Sequence, residues 1–310
     1  MRSLSALAAC LLVRLVTFPV RLKCGSLSSK ITSSSKKYTP PKDMDFSELS
    51  LGGVRAEMLS PHGFNGYILH FHGGGRTAPL NNFYRKVACR LAHMTGCAVV
   101  SVNYPTGLYT YPIMHDYCYA ASVAFAERFP MDKTVFFGDS YGANLALSCM
   151  LRARDNGVPL PAACVCVSPF ADMSASGDSY LANCRRDPIY GLTAFQSKRQ
   201  APRLRRISAY CGDADLKGSY LSPCFGDYSY FPPLLVQTGG AETSASDAVF
   251  IASAAAKAGV PCRLHIFDGM WHDFQYIFPR LKESRAAYAE ISEFIASALY
   301  LCGQNGYNHK

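Results

Sequence analysis

The sequence predicts an α/β fold, with a mostly parallel sheet covered by helices on both faces. Three observations predict it. Short apolar runs alternate with helical patterns from about Leu51 onward. The chain has 310 residues, 49% of them apolar and 17% charged. That is ample for one core of about 250 residues plus an appendage. Finally, the run VFFGDSYGAN at 135–144 stops on a serine between two glycines and at once becomes helical.

The first segment, residues 1–42, is a leader. It holds eight Lys or Arg, no acid before Asp43, and many serines. This composition fits an organellar, mitochondrial-type presequence, and the segment is expected not to pack on the body. Leu4 to Val20 is apolar but carries Arg14 and Pro19, which suits membrane-surface association better than a span. Leu7-Ala8-Ala9-Cys10 resembles a lipoprotein cleavage site, yet the apolar run before it is too short. The leader also explains the net charge of +9: the remaining residues carry 23 basic against 22 acidic groups. A body-wide footprint for nucleic acid is therefore absent. The thirteen cysteines are scattered without a CxxC pair. They read as small apolar filler in a reducing compartment rather than as zinc ligands or disulfides.

Residues 43–310 form the expected α/β domain. Strand-like runs occupy 54–60, 66–72, 98–104, 133–138, 163–168, 233–239 and 262–268. Helical patterns cover 79–94, 113–129, 142–155, 246–258 and 281–301. Right-handed crossovers then make most of the sheet parallel. The first two runs, joined by the short PHGFN turn, are expected to pair as an antiparallel edge hairpin. The stretch 185–206 breaks the rhythm with seven basic residues and one acid, Asp187. It is expected either to belong to a cap inserted near 176–210, above the C-terminal ends of the strands, or to be a solvated surface loop.

A G-x-S-x-G turn between strand and helix holds its serine in a strained conformation, with the oxygen pointing off the sheet edge. In GDSYG that serine is Ser140, and Gly138 and Gly142 are required by sterics. The N–H of Tyr141 opens the following helix and faces the same space. Independently, FHGGGR at 71–76 follows a strand directly, and Gly73, Gly74 and Gly75 allow close approach of backbone N–H groups to an oxyanion. Neither a GK[ST] nor a GxGxxG spacing accompanies them, so a phosphate loop is the weaker reading. His72 in that stretch reads as structural. Of the eight histidines, His272 follows the last strand and precedes the last helix, at the end of the sheet where Ser140 opens. For the orienting acid, Glu242 follows a strand directly, and Asp247 is the alternative, since SASD at 244–247 also reads as a helix start.

HGGG, GDSYGANLA, SPFADMS, PPLLVQTGGAE and DGMWHDFQ, in this order, resemble the hormone-sensitive-lipase-like branch of the α/β-hydrolases. The resemblance runs from about Gly52 to Leu301 and implies an eight-stranded α/β-hydrolase fold with a small cap. It implies a cofactor-free serine esterase acting on small-molecule esters, with Ser140 as nucleophile, His272 as base and Glu242 as acid. The glycines at 73–75 and Tyr141 would supply the oxyanion donors. Three departures concern substrate range. Tyr141 stands where alanine is usual, Arg76 where an aromatic is common, and NYPTGLYTYP at 103–112 replaces the usual Y-R-L-A-P segment. Arg76 is a candidate substrate contact or a surface ion pair. The usual N-terminal cap helices are missing or replaced by the leader. An amidase or formamidase would use the same machinery, and a ligand-binding member of the fold is a further alternative, against which the presence of His272 argues.

Overall fold

Gly52 and Gly53, at φ +57° and +80°, decide how the sheet begins. They form a tight turn that places Leu51 opposite Val54, joining β1 (Met44–Leu51) to β2 (Val54–Pro61). The antiparallel edge hairpin is therefore β1–β2, not the pairing across PHGFN. β2 pairs antiparallel with β4 (Ala98–Val102), and β3 (Tyr67–Phe71) lies beyond it, parallel to β4. The remaining strands, β5 (Thr134–Asp139), β6 (Ala163–Val167), β7 (Leu234–Gly239) and β8 (Cys262–Phe267), continue in parallel. The eight strands are ordered β1-β2-β4-β3-β5-β6-β7-β8. This computed structural model describes residues 2–22, 38–107, 109–197 and 208–305. The Ser/Lys part of the leader and the basic run at 198–207 lie outside the described residues.

Helices cover both faces, because the central strands are apolar on both sides. On one face lie α2 (Asn82–Thr95) and the long C-terminal helix Lys282–Asn305. In α2 the side chain of Asn81 accepts from the N–H groups of Phe83 and Tyr84, and Gly96 ends the helix at φ +68°. Its buried residues Tyr84, Val87, Ala88, Leu91 and Ala92 follow helical spacing. The other face carries α3 (Ile113–Ala126), α4 (Tyr141–Asp155) and Ala245–Lys257. α4 is buried almost all round, which suits a helix wedged between sheet and neighbours. Cys164 and Cys166 fill the core of β6.

The leader departs from expectation. Leu4–Leu22 forms a 19-residue helix, α1, that packs on the body. Ala6, Ala9, Cys10 and Val13 join a cluster with Ile189, Met270, Trp271 and Phe274. Thr17 donates to the carbonyl of Pro188 at 2.5 Å, and Arg21 donates to those of Gly191 and Leu192 at 2.8 and 2.7 Å. The physical reason is a stripe of small residues that lets the helix approach closely, backed by donors for carbonyls that would otherwise lack partners.

Candidate active site

The serine turn is built as sterics require. Ser140 sits at φ 53°, ψ −122°, a conformation costing on the order of 1–3 kcal/mol. The surroundings hold it there: its N–H donates to Val167 at 2.9 Å and its carbonyl accepts from Phe170 at 3.1 Å. A methyl group at Gly142 would run into the carbonyls of Phe71 and His72, and one at Gly138 into the backbone of Gly142 and Ala143.

Three side chains from separate strand ends meet here. The Nε2 of His272 lies 2.9 Å from the Oγ of Ser140, and its Nδ1 lies 2.8 Å from the Oε2 of Glu242. Glu242 is fully buried, and its Oε1 accepts from the N–H of Gly239 and the hydroxyls of Ser168 and Thr238, at 2.5, 2.8 and 3.1 Å. A buried carboxylate without such partners would be costly. Asp247 is elsewhere: its Oδ2 accepts from the N–H groups of Ala171 and Asp172 and the hydroxyl of Tyr180. It therefore anchors the loop after β6 and does not touch His272.

The glycine loop crosses the mouth of this site. Gly74 and Gly75 adopt φ +96° and +59°, and a side chain at Gly73 would strike the carboxylate of Asp139. His72 stacks on Tyr104 at 4.3 Å and faces the Gly73 carbonyl through Nδ1 at 2.9 Å. Burial lowers its pKa to about 3, outweighing that backbone hydrogen bond, so the ring stays neutral. It is a prop for the loop. Tyr141 opens α4, where its N–H has no carbonyl a turn earlier to bond.

Comparisons with known proteins show the family to which this fold belongs. A family model described as alpha/beta hydrolase fold matches residues 68–276. An acetyl-hydrolase of Streptomyces hygroscopicus is 30% identical over 262 residues, 84% of either chain. The chain belongs to the hormone-sensitive-lipase-like α/β-hydrolases, a family of serine esterases. An esterase of Acinetobacter venetianus is 30% identical over 80% of this chain and 81% of its own. Among solved structures, an esterase of the bacterial hormone-sensitive lipase family superposes with TM-score 0.78 and 26% identity, covering 96% of this chain and 100% of that one.

The family's usual alanine beside the serine is replaced at no cost in space. The Tyr141 side chain turns away from the opening and is buried, its hydroxyl donating to that of Tyr210 at 2.5 Å. Tyr210 in turn faces His115, which bonds Asn144 at 3.0 Å. Arg76 lies over the Tyr210 ring at 4.5 Å, a cation–π contact. It forms the outer layer of this aromatic stack and is not among the residues lining the cavity over Ser140.

That cavity, of about 310 Å³, is walled by α1 through Leu12, Val13, Val16 and Thr17. Phe83 and Tyr84 close it from α2, and Ile189 and Tyr190 from the inserted segment. The described part of the insertion thus lies over the strand ends, with Tyr190 edge-on to the His272 ring at 4.8 Å. Sequence reasoning missed Asp273. It occupies a left-handed position, φ 50°, and turns its Oδ2 to 3.3 Å from the Nε2 of His272. Burial alone would lower the His272 pKa. The charge of Asp273, then the hydrogen bond and charge of Glu242 and the charge of Asp187, outweigh it and raise the value to about 10. Burial holds Asp273 itself well above the usual carboxylate range, against the pull of His272. Between them the pair keeps a proton that a lone imidazole would release near neutrality.

Proposed function

We propose that this enzyme is a serine carboxylic-ester hydrolase in which Ser140, His272 and Glu242 act as one unit. The observation that carries the reading is the unbroken contact from hydroxyl to imidazole to carboxylate at the floor of an apolar cavity. His272 takes the Ser140 proton on Nε2 as Oγ attacks the ester carbonyl. Glu242 holds the ring through Nδ1 and stabilises the imidazolium. Backbone N–H groups of the Gly73–Gly75 loop and of Tyr141 hold the oxyanion, each contributing on the order of 3 kcal/mol. Collapse of the tetrahedral adduct returns the proton to the leaving alcohol. Water then enters, loses a proton to His272 and releases the carboxylic acid, restoring Ser140. The apolar cavity walls support an acyl group of low polarity, and the relatives named acetyl-hydrolase and esterase support ester rather than amide chemistry.

A fluorophosphonate probe tests this directly. Wild type is expected to label at one site and to hydrolyse nitrophenyl butyrate, with both properties lost in a folded Ser140→Ala. Undiminished turnover in that variant would remove Ser140 from the mechanism.

A further inference from the structure

α1 has two apolar faces, and the body uses only one. Helical residues turn by roughly 100° each, so Ala6, Ala9, Cys10 and Val13 share the buried face. The opposite face presents Leu4, Leu7, Leu11, Leu15 and Leu22. Leu4 is 84% exposed, Leu11 63% and Leu15 74%. Single exposed leucines are ordinary, but a row of five along one helix marks an interaction surface. Phe18 and Phe195, the latter 80% exposed, meet edge to face at 6.2 Å and extend the row.

We infer that this face rests on an anionic phospholipid surface, with α1 lying in the plane of the interface. Its charge complements such a surface. Arg2 and Arg14 flank the leucines, and Arg14 donates to the carbonyls of Arg185 and Arg186, two exposed residues; these four positive charges outnumber Glu283, the acid that accepts from Ser3 at the start of the helix. The orientation follows from the buried face. Length and composition alone would let Leu4–Leu22 cross a bilayer. A crossing helix, however, would abandon the bonds from Thr17 and Arg21 to the inserted segment. The adjacent flank is part of the cavity wall: Leu12 and Val16 line the space over Ser140. An acyl chain leaving the lipid would therefore slide along the helix into the site. That delivery rests on the proposed esterase chemistry, whereas docking does not.

Flotation of the full chain with vesicles tests the docking. One set contains equal parts phosphatidylcholine and phosphatidylglycerol, the other phosphatidylcholine alone. Wild type is expected to float with the anionic set and to be released by an alkaline carbonate wash. Leu11→Glu with Leu15→Glu should lower the bound fraction by roughly a hundredfold, because two buried leucines are lost from the interface. Neither side chain lines the cavity, so the double variant should hydrolyse nitrophenyl butyrate in vesicle-free buffer within about twofold of wild type, which also reports that it is folded. Failure of wild type to float with either set overturns the inference. Retention through the carbonate wash overturns it in favour of a spanning helix. A wild-type dimer that the double variant converts to monomer assigns the face to a second copy of the chain. Binding is scored by protein rather than turnover, so an inactive enzyme that floats upholds docking and counts only against the esterase reading.

Discussion

Replacing Asp273 with asparagine removes one negative charge 3.3 Å from the Nε2 of His272 while keeping nearly the same shape. At that distance a unit charge contributes about 1 kcal/mol with the dielectric constant of water and about 5 kcal/mol at an effective value of 20. One pKa unit corresponds to about 1.4 kcal/mol, so the imidazole should fall by about one to three and a half units from its raised value near 10. The sign is fixed: a carboxylate stabilises the imidazolium, and its removal lets the proton leave at lower pH. Because His272 must be neutral to accept the Ser140 proton, the wild-type acid limb of kcat/KM should lie on the alkaline side of an ordinary histidine. Asp273→Asn should move that limb toward neutrality by about one to three and a half pH units and so raise activity there. Glu242 and Asp187 also raise the imidazole and remain in the variant, so a partial elevation should persist. The assay is a pH series of kcat/KM with nitrophenyl butyrate, checked by circular dichroism at each end. A limb that stays in place, or moves to higher pH, would refute the electrostatic role given to Asp273.

Three further outcomes follow from the geometry. Glu242→Ala should lower kcat by about a thousandfold or more with little change in KM, since the acid orients the base rather than binding substrate; Asp247→Asn, which loosens the loop at Ala171 and Asp172 and the contact with Tyr180, should lower thermal stability while leaving kcat within a few-fold. Gly142→Ala gains about 1 kcal/mol in helix propensity. It forces a methyl group onto the carbonyls of Phe71 and His72, where neither side yields cheaply, so a net loss of about 1–3 kcal/mol and a melting temperature lower by several degrees are expected in a thermal melt.

Most of the sheet was legible because buried parallel strands leave continuous apolar runs: AVV at 98–100 and ACVCV at 163–167 announce themselves. β1 was not, because MDFSELSL is a half-solvated edge strand whose Asp, Ser and Glu dilute the pattern. The misplaced hairpin has the same origin, since without β1 the Gly52–Gly53 turn had no first arm. Residues 140, 242 and 272 were legible as candidates from their positions after strands, and the structure brings them within hydrogen-bond reach of one another. Asp273 was hidden because neighbours in sequence ordinarily point apart; only the left-handed turn at that residue folds its carboxylate back onto the imidazole. The packing of α1 was hidden for another reason. Most of its polar partners are main-chain carbonyls, those of Arg185, Arg186, Pro188, Gly191 and Leu192, and main-chain acceptors leave no trace in side-chain letters.

The attachment of α1 also changes what proteolysis near the N-terminus would mean. Thr17 and Arg21 tie the helix to a segment about 170 residues later, so the two stretches form a single roof in which neither half is complete alone. A protease that cut the chain after Leu22 would do more than shorten it. It would strip one wall from the cavity beside Ser140 and take four residues out of the cluster around Trp271, making N-terminal cleavage and active-site shape a single event.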